Sequence, residues 1–346
     1  YFNMYIENKV LKKYISHWLV AMFWIISIMI VVGGLTRLTD SGLSITEWQL
    51  FSGFLPPLNA ADWENYFNLY KKIPEYELQN YEMTLQEFKI IFWWEWAHRF
   101  LGRLIGLSFL IPLVFFSIKL GFKRLINLYF IFFLICFQGF IGWYMVSSGL
   151  IDRVDVSHFR LSVHLLVAFI ILSLIIWNYL RLNYQVSNEN KLSFYIPFIF
   201  IFLIFCQIAI GAFVSGMDAG KIYNTWPLMG SAFFPDDNEL VNLFNFEAFS
   251  DPSLVQFMHR NLAYLILIFY FFILAEVYKK KLKVFFNVIK IVGFLLIVQV
   301  VLGILTLLYG AQIFLASMHQ ISSIFLVSSC IYFLYVNTRA NLPPSN

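Results

Sequence analysis

Apolar positions fall into eight runs, at 16–36, 97–118, 125–146, 159–181, 193–215, 257–278, 284–308 and 313–336. A hydrocarbon layer about 30 Å thick is crossed by ~20 residues rising about 1.5 Å each, so every run is long enough to span it. Backbone in lipid must satisfy its own hydrogen bonds, which predicts helices. The runs lack the apolar–polar alternation of a barrel wall. Two polar intervals are long, 37–96 and 216–256, and hold most of the Asp and Glu. Within the first, 59–92 has helical periodicity with mixed charge, and Thr84 followed by Glu87 reads as a capping box. Short amphipathic helices covering the pocket of the first half are expected there.

The remaining polar segments carry the cations. Lys9, Lys12 and Lys13 precede the first run; Lys119, Lys123 and Arg124 follow the second; Arg181 and Lys191 follow the fourth; Lys279, Lys280, Lys281 and Lys283 follow the sixth; Arg339 follows the last. All fall on one side, which the positive-inside rule makes cytoplasmic, with both termini. The first run is long enough to be a span or signal anchor rather than a cleaved leader. Composition narrows the class. Of 346 residues, 60% are hydrophobic and 13% charged, against about 45–50% and about 25% in soluble domains. Mean hydropathy is +0.73. A disordered chain, a secreted disulfide scaffold and almost any soluble enzyme are excluded, leaving an all-α, eight-span membrane protein. Cys136, Cys206 and Cys330 lie inside apolar runs and read as buried small hydrophobes. Forty Phe, 19 Tyr and 10 Trp exceed what spanning requires; a flat apolar ligand or an AT-rich genome would each supply the surplus.

The chain repeats internally. An offset of 161 carries His98-Arg99 onto His259-Arg260, Gln138 onto Gln299 and Gly142 onto Gly303. An offset of 178 carries Gly33, Asp40, Gly42 and Trp48 onto Gly211, Asp218, Gly220 and Trp226, and one of 155 carries Ser162 and His164 onto Ser317 and His319. The expected architecture is two tandem four-helix bundles, 1–190 and 191–346, related by a pseudo-two-fold axis along the membrane normal.

Six histidines divide by position. His17 reads as interfacial and His158 as a solvated residue of an outer loop. His98, His164, His259 and His319 each lie in the first two turns of an even-numbered span, at similar depth near the outer face, two per bundle. Ionisable groups in spans default to functional hypotheses. Two facing imidazoles in a four-helix bundle suit bis-His haem ligation, whereas zinc or copper would need further ligands that the spans do not offer. Arg99 and Arg260 are placed to pair with propionates.

The halves are unequal. Glu95, one turn outward of His98 on the same face, is matched by Gln256. Arg37, Arg103 and Arg160 are matched by Ser215, Tyr264 and Leu315. Charge-stabilising groups belong at a reaction site, so the first half reads as the substrate half and the second as a cofactor half. An electron-carrying two-haem cytochrome and a haem-delivery protein use the same four His and stay open at this point. The Trp of the outer segments (Trp93, Trp94, Trp96, Trp226) read mostly as an interfacial belt. No nucleotide loop, nucleophile triad or nucleic-acid motif is present.

The segments Gly33-Gly34-Leu35-Thr36-Arg37-Leu38-Thr39-Asp40-Ser41-Gly42-Leu43-Ser44, Glu95-Trp96-Ala97-His98-Arg99, Gln138-Gly139-Phe140-Ile141-Gly142-Trp143-Tyr144-Met145-Val146, Asp218-Ala219-Gly220 and Phe257-Met258-His259-Arg260 resemble the mitochondrial and proteobacterial branch of the haem A synthase family. The resemblance runs from the first span to the eighth. It implies conversion of haem O to haem A for cytochrome oxidase, by oxidation of the C8 methyl to a formyl group through successive hydroxylations and loss of water. It implies haem B on His259 and His319, substrate haem on His98 and His164, Glu95 as the essential carboxylate, and Arg37, Arg99, Arg103, Arg160 and Arg260 as propionate candidates. It further implies a bacterial inner membrane or its mitochondrial counterpart, a membrane electron donor, haem O synthase and oxidase assembly factors as partners, and a homo-oligomer as one possible state. The Cys pair of the Gram-positive branch is missing from the first outer loop, so thiol chemistry does not transfer.

Overall fold

The computed structural model describes residues 8–48, 52–184 and 191–339. The chain ends, 1–7 and 340–346, on which the terminal orientation partly rests, lie outside them. So do 185–190, where the division of the halves at 190 falls, and the Arg339 side chain. Among the described residues there are ten α-helices, and the one β-feature is an isolated bridge between Met229 and Ala232. Eight helices are long and apolar enough to cross a membrane: α1 (Lys9–Leu38), α4 (Leu85–Leu120), α5 (Ile126–Asp152), α6 (His158–Asn183), α7 (Tyr195–Gly216), α8 (Pro252–Lys279), α9 (Phe286–Leu308) and α10 (Ile313–Arg339). The short helices α2 (Ala60–Tyr70) and α3 (Pro74–Leu78) lie between α1 and α4.

Local chemistry sets the boundaries. The Asn8 side chain accepts from the Val10 and Leu11 amides and starts α1; Asp251, followed by Pro252 at the first helical position, starts α8. The Thr84–Glu87 capping box is present. It starts a helix that runs without a break from Leu85 to Leu120, so the helix carrying the second span begins well before the apolar run at 97. Its end is set by Gly121, whose φ of 85° suits glycine.

Helix α1 packs on α4, α6 and α10, and α5 closes against α4 and α6. Correspondingly α7 packs on α8 and α10, and α9 on α8 and α10. The halves meet through α6–α7, α6–α10 and α1–α10. One continuous apolar core joins residues of both, from Ile15 and Leu19 through Leu172 to Phe285 and Val336. A second cluster, including Leu43, Ile45, Phe67, Tyr70, Phe88, Phe92 and Val156, packs α2 and the adjoining loops onto the protruding turns of α4. Lipid tails are as apolar as Leu, so close approach and side-chain bonds hold the spans together. Large apolar residues accordingly face outward, Ile118 being 77% exposed and Ile268 67%.

Part of the aromatic surplus also faces outward. Phe130, Phe133, Phe137 and Phe140 form an exposed row on α5, with Phe133 and Phe137 stacked at 6.4 Å. Only Cys330 is buried as expected; Cys136 is exposed on α5 and Cys206 partly so, because the apolar runs containing them have lipid-facing sides.

Candidate functional site

Each of the four intramembrane imidazoles lies against a glycine of a neighbouring helix. A methyl placed on Gly33 of α1 would stand 3.1 Å from Cε1 of His98, and one on Gly142 of α5 would stand 3.1 Å from Cε1 of His164. In the second half Gly211 of α7 faces His259 at 3.0 Å, and Gly303 of α9 faces His319 at 3.0 Å. These are the glycines matched by the repeat. Any larger residue would push the ring aside, so the glycines leave room for imidazoles held edge-on between helices.

His98 and His164 are brought together with ring centroids 6.4 Å apart and planes at 47°. A metal–imidazole bond of about 2.0 Å plus a further ~1.1 Å to each ring centre places two opposed ligands of one ion ~6 Å apart. The separation therefore fits a single iron between the rings. Among the described residues no group of three His, Cys, Asp or Glu has metal-binding geometry. In the second half His319 Nδ1 donates to the Gln299 carbonyl at 3.1 Å, which leaves the lone pair on Nε2, where the Gln299 side-chain amide lies at 3.3 Å. Glutamine amides line the helix contacts: Gln138 donates to the His164 carbonyl, and Gln207 donates to the His259 carbonyl, each at 2.9 Å. Gln207 was not singled out in the sequence. Its offset counterpart is Met29, so polarity at this position within a span marks the second half.

Above the rings lie two clamps of like construction. Glu95 is buried, 3% exposed. Its Oε1 accepts from Arg99 Nε (3.0 Å) and Nη2 (2.6 Å), and its Oε2 accepts from Ser44 Oγ and the Ile45 amide, both at 2.7 Å. Arg99 also donates to the Ile45 and Glu47 carbonyls. In the second half Gln256 accepts from Arg260 at 2.9 Å, and its own amide donates to the Ala219 carbonyl at 2.7 Å. Arg260 donates to the Tyr223, Thr225 and Leu228 carbonyls. Both arginines thus hold connecting loops beside the His pairs. The difference is chemical: donors surround the carboxylate of Glu95, whereas the amide of Gln256 reaches carbonyls.

The other arginines are dispersed. Arg37, at the end of α1, pairs with Asp40 (2.6 Å), Asp155 (3.7 Å) and Asp218 (3.3 Å), the last from the second half. Asp40 and Asp218 are repeat counterparts, and both adopt left-handed backbone, at φ 48° and 52°. Burial raises the Asp155 carboxyl above its ordinary range. Burial would also raise Asp218, but hydrogen bonding and charge from Lys221 and Arg37 outweigh it and hold it low. Arg160 bonds the Ser148 hydroxyl and lies over the Tyr144 ring. Arg103 lines a small cleft with Arg99, Trp96 and Tyr66.

Two further residues depart from the sequence reading. His158 is not a solvated loop residue: it opens α6 and packs edge-on against Phe213 of α7. Glu75 on α3 is buried at 3% exposure, near Asn80 and Tyr70. Burial, then the charges of Glu95 and Asp155, push its carboxyl up to about 8. Nothing in a five-residue charged helix distinguishes this position in the sequence.

An eight-span helical membrane protein with paired imidazoles seated on glycines, roofed by arginine-clamped loops, is of the class that carries haem within a bundle. Residues 16–331 match the family model described as cytochrome oxidase assembly protein. The chain is 49% identical to the haem A synthase of Pelagibacter ubique (strain HTCC1062) over 340 residues, 97% of this chain and 100% of that one. It is 41% identical to that of Rickettsia bellii (strain OSU 85-389) over 329 residues, 93% and 98% of the two. With the haem A synthase of Parvibaculum lavamentivorans it shares 48% over 257 residues, 73% and 75% of the two chains. The chain belongs to the haem A synthase family.

Proposed function

We propose that this chain converts haem O to haem A, with the reaction in residues 1–190 and a haem B cofactor in 191–346. The observation that carries the reading is the opposed His98–His164 pair at 6.4 Å, with the same glycine-seated histidines repeated in the second half. His98 and His164 hold the iron of the substrate haem; His259 and His319 hold that of haem B, which when bound passes electrons. The two halves are related about an axis along the membrane normal.

Glu95 is the one feature of the first clamp that the second lacks. It sits a turn outward of His98, and its charge is held in place by Arg99, Ser44 and the Ile45 amide. Its role is to stabilise positive charge at the oxidised C8 methyl or to orient the attacking water; preorganised charge of this kind is the strongest lever a site has. The clamped loops, with α2 and α3 above, exclude bulk water from that edge. Arg37, Arg99, Arg103, Arg160 and Arg260 are the arginines for haem propionates, and Arg103 lines the cleft beside Arg99 and Trp96. The cation-rich ends of the spans and the termini face the cytoplasm of an inner membrane, and α2 and α3 lie on the outer side. Haem O synthase, oxidase assembly factors and a membrane electron donor are the partners this activity calls for.

The test is expression with a haem O source, followed by haem extraction and mass identification. Wild-type protein should yield formyl haem. His259→Ala and His319→Ala should lose haem B; His98→Ala and His164→Ala should keep haem B and leave haem O unconverted. Haem recovered unchanged from the wild type would overturn the enzymatic reading in favour of an electron carrier or delivery protein.

A further inference from the structure

Gly33 and Gly34 are adjacent on α1 yet serve different halves. Gly33 faces His98. Gly34 faces Gln320 of α10, the residue next to His319, and a methyl at 34 would overlap the Gln320 amide. In that slot Gln320 Nε2 donates to the Ile30 carbonyl at 2.9 Å, across the α1–α10 interface. Ile30 precedes Gly33 by three residues, one turn of α1. The path from one His pair to the other is therefore a chain neighbour (His319 to Gln320), one hydrogen bond, one helical turn and one van der Waals contact.

The repeat supplies a comparison. The counterpart of Gly34 at the offset of 178 is Ala212, and that of Gln320 at the offset of 155 is Leu165. Both members change together: glycine occurs with the amide, and alanine with a side chain that has no hydrogen bond to make. At that second interface the tie is another one, from Ser162 Oγ of α6 to the Ala209 carbonyl of α7 at 3.0 Å. In the low dielectric of a bundle the Gln320 amide has no water to turn to, and its bond to Ile30 fixes both rotation and depth of α10 against α1.

We propose that Gln320 is a positioning residue for the reaction. Seated in the slot left by Gly34, it ties the helix carrying His319 to the stretch of α1 that seats His98, and so holds the two haem sites at a set separation and orientation. The proposal rests on the assignment of one haem to each His pair.

The test uses the full-length protein with Q320A, G34A and the double variant G34A/Q320A. The atoms nearest the added methyl of G34A are the far end of the flexible Gln320 side chain, so it displaces the amide. Each single variant should lower haem O conversion at least about tenfold while retaining haem B, as expected for a misplacement on the ångström scale. The double variant should fall no more than about twofold below the worse single, because both changes remove the same contact. In preparations made without haem O, the haem B reduction potential and low-spin EPR signature should shift in both single variants, which loss of packing remote from His319 would not produce. If Q320A fails to retain haem B, G34A carries the test with the amide intact. Wild-type turnover with an unchanged haem B signature in Q320A and G34A, or effects of the two that add in full, would overturn the proposal. Retention of haem B by His319→Ala would instead overturn the haem assignment on which it rests.

Discussion

Exchanging Glu95 for Gln alters one end group and leaves side-chain volume almost unchanged, yet the surroundings are built for a carboxylate. With the amide oxygen kept toward Arg99, the new NH2 would face the Ile45 amide, which now donates to Oε2 at 2.7 Å. Ser44 can turn its hydroxyl to accept; a backbone N–H cannot. The cost is one unsatisfied buried donor, about 1–3 kcal/mol. Glu95→Ala removes every acceptor and strands Arg99 beside it, a loss of about 3–5 kcal/mol for a broken buried pair. Stability should therefore fall in the order wild type, Gln, Ala, read as thermal loss of haem B absorbance in one detergent. Both variants should accumulate haem O with haem B still bound at low temperature, and Gln256 already holds the equivalent loop in the second half. A Glu95→Gln protein that forms haem A at the wild-type rate would refute the catalytic role. Equal stability of the Gln and Ala variants would refute the clamp.

Other outcomes follow from the same geometry. Gly303→Ala should reduce haem B occupancy while Gly33→Ala should spare it and weaken substrate haem binding, since each methyl meets its own imidazole at 3.0 and 3.1 Å; haem counts that do not separate by half would contradict the seating. Glu75 has a folded-state pKa of about 8 against an ordinary 4.5, so the stability it contributes is full below 4.5 and is lost as pH rises through about 8; Glu75→Gln should flatten that slope in thermal scans, and an unaltered slope would exclude Glu75 as its source. Arg37→Ala leaves Asp40, Asp155 and Asp218 without their shared cation; because these carboxylates are 39–58% exposed, the expected loss is about 1 kcal/mol and should shrink near 1 M salt, whereas a salt-independent loss would point to packing instead.

The spans were legible because lipid imposes its demand on each run separately, and the four histidines because imidazole is costly in a span. The repeat was legible down to Gly33, Gly142, Gly211 and Gly303, but their purpose was not, since a glycine's partner is set by helix packing and not by offset. Glu95 could be located but its surroundings could not: Ser44 and Ile45 reach it from a loop about fifty residues away. Gln207 and Gln320 carry the signal of a lone amide inside an apolar run, but unlike Gln138 and Gln299 they have no amide counterpart in the repeat to mark them. That the helix of the second span reaches back to Leu85 was not legible, because a capped polar helix and an apolar one share the same local periodicity. Surplus Phe said little about the site, as the row on α5 faces outward.

Arg37 gives the inequality of the halves a second meaning. It touches both Asp40 and Asp218, the two copies of one repeated residue. A group that meets both copies ties one half of the chain to the other. A second arginine at 215 would bring like charge to a place already occupied. The serine found there is then a matter of vacancy, as at any seat shared by twins, and the Arg37/Ser215 difference belongs to the seam between the halves more than to either His pair.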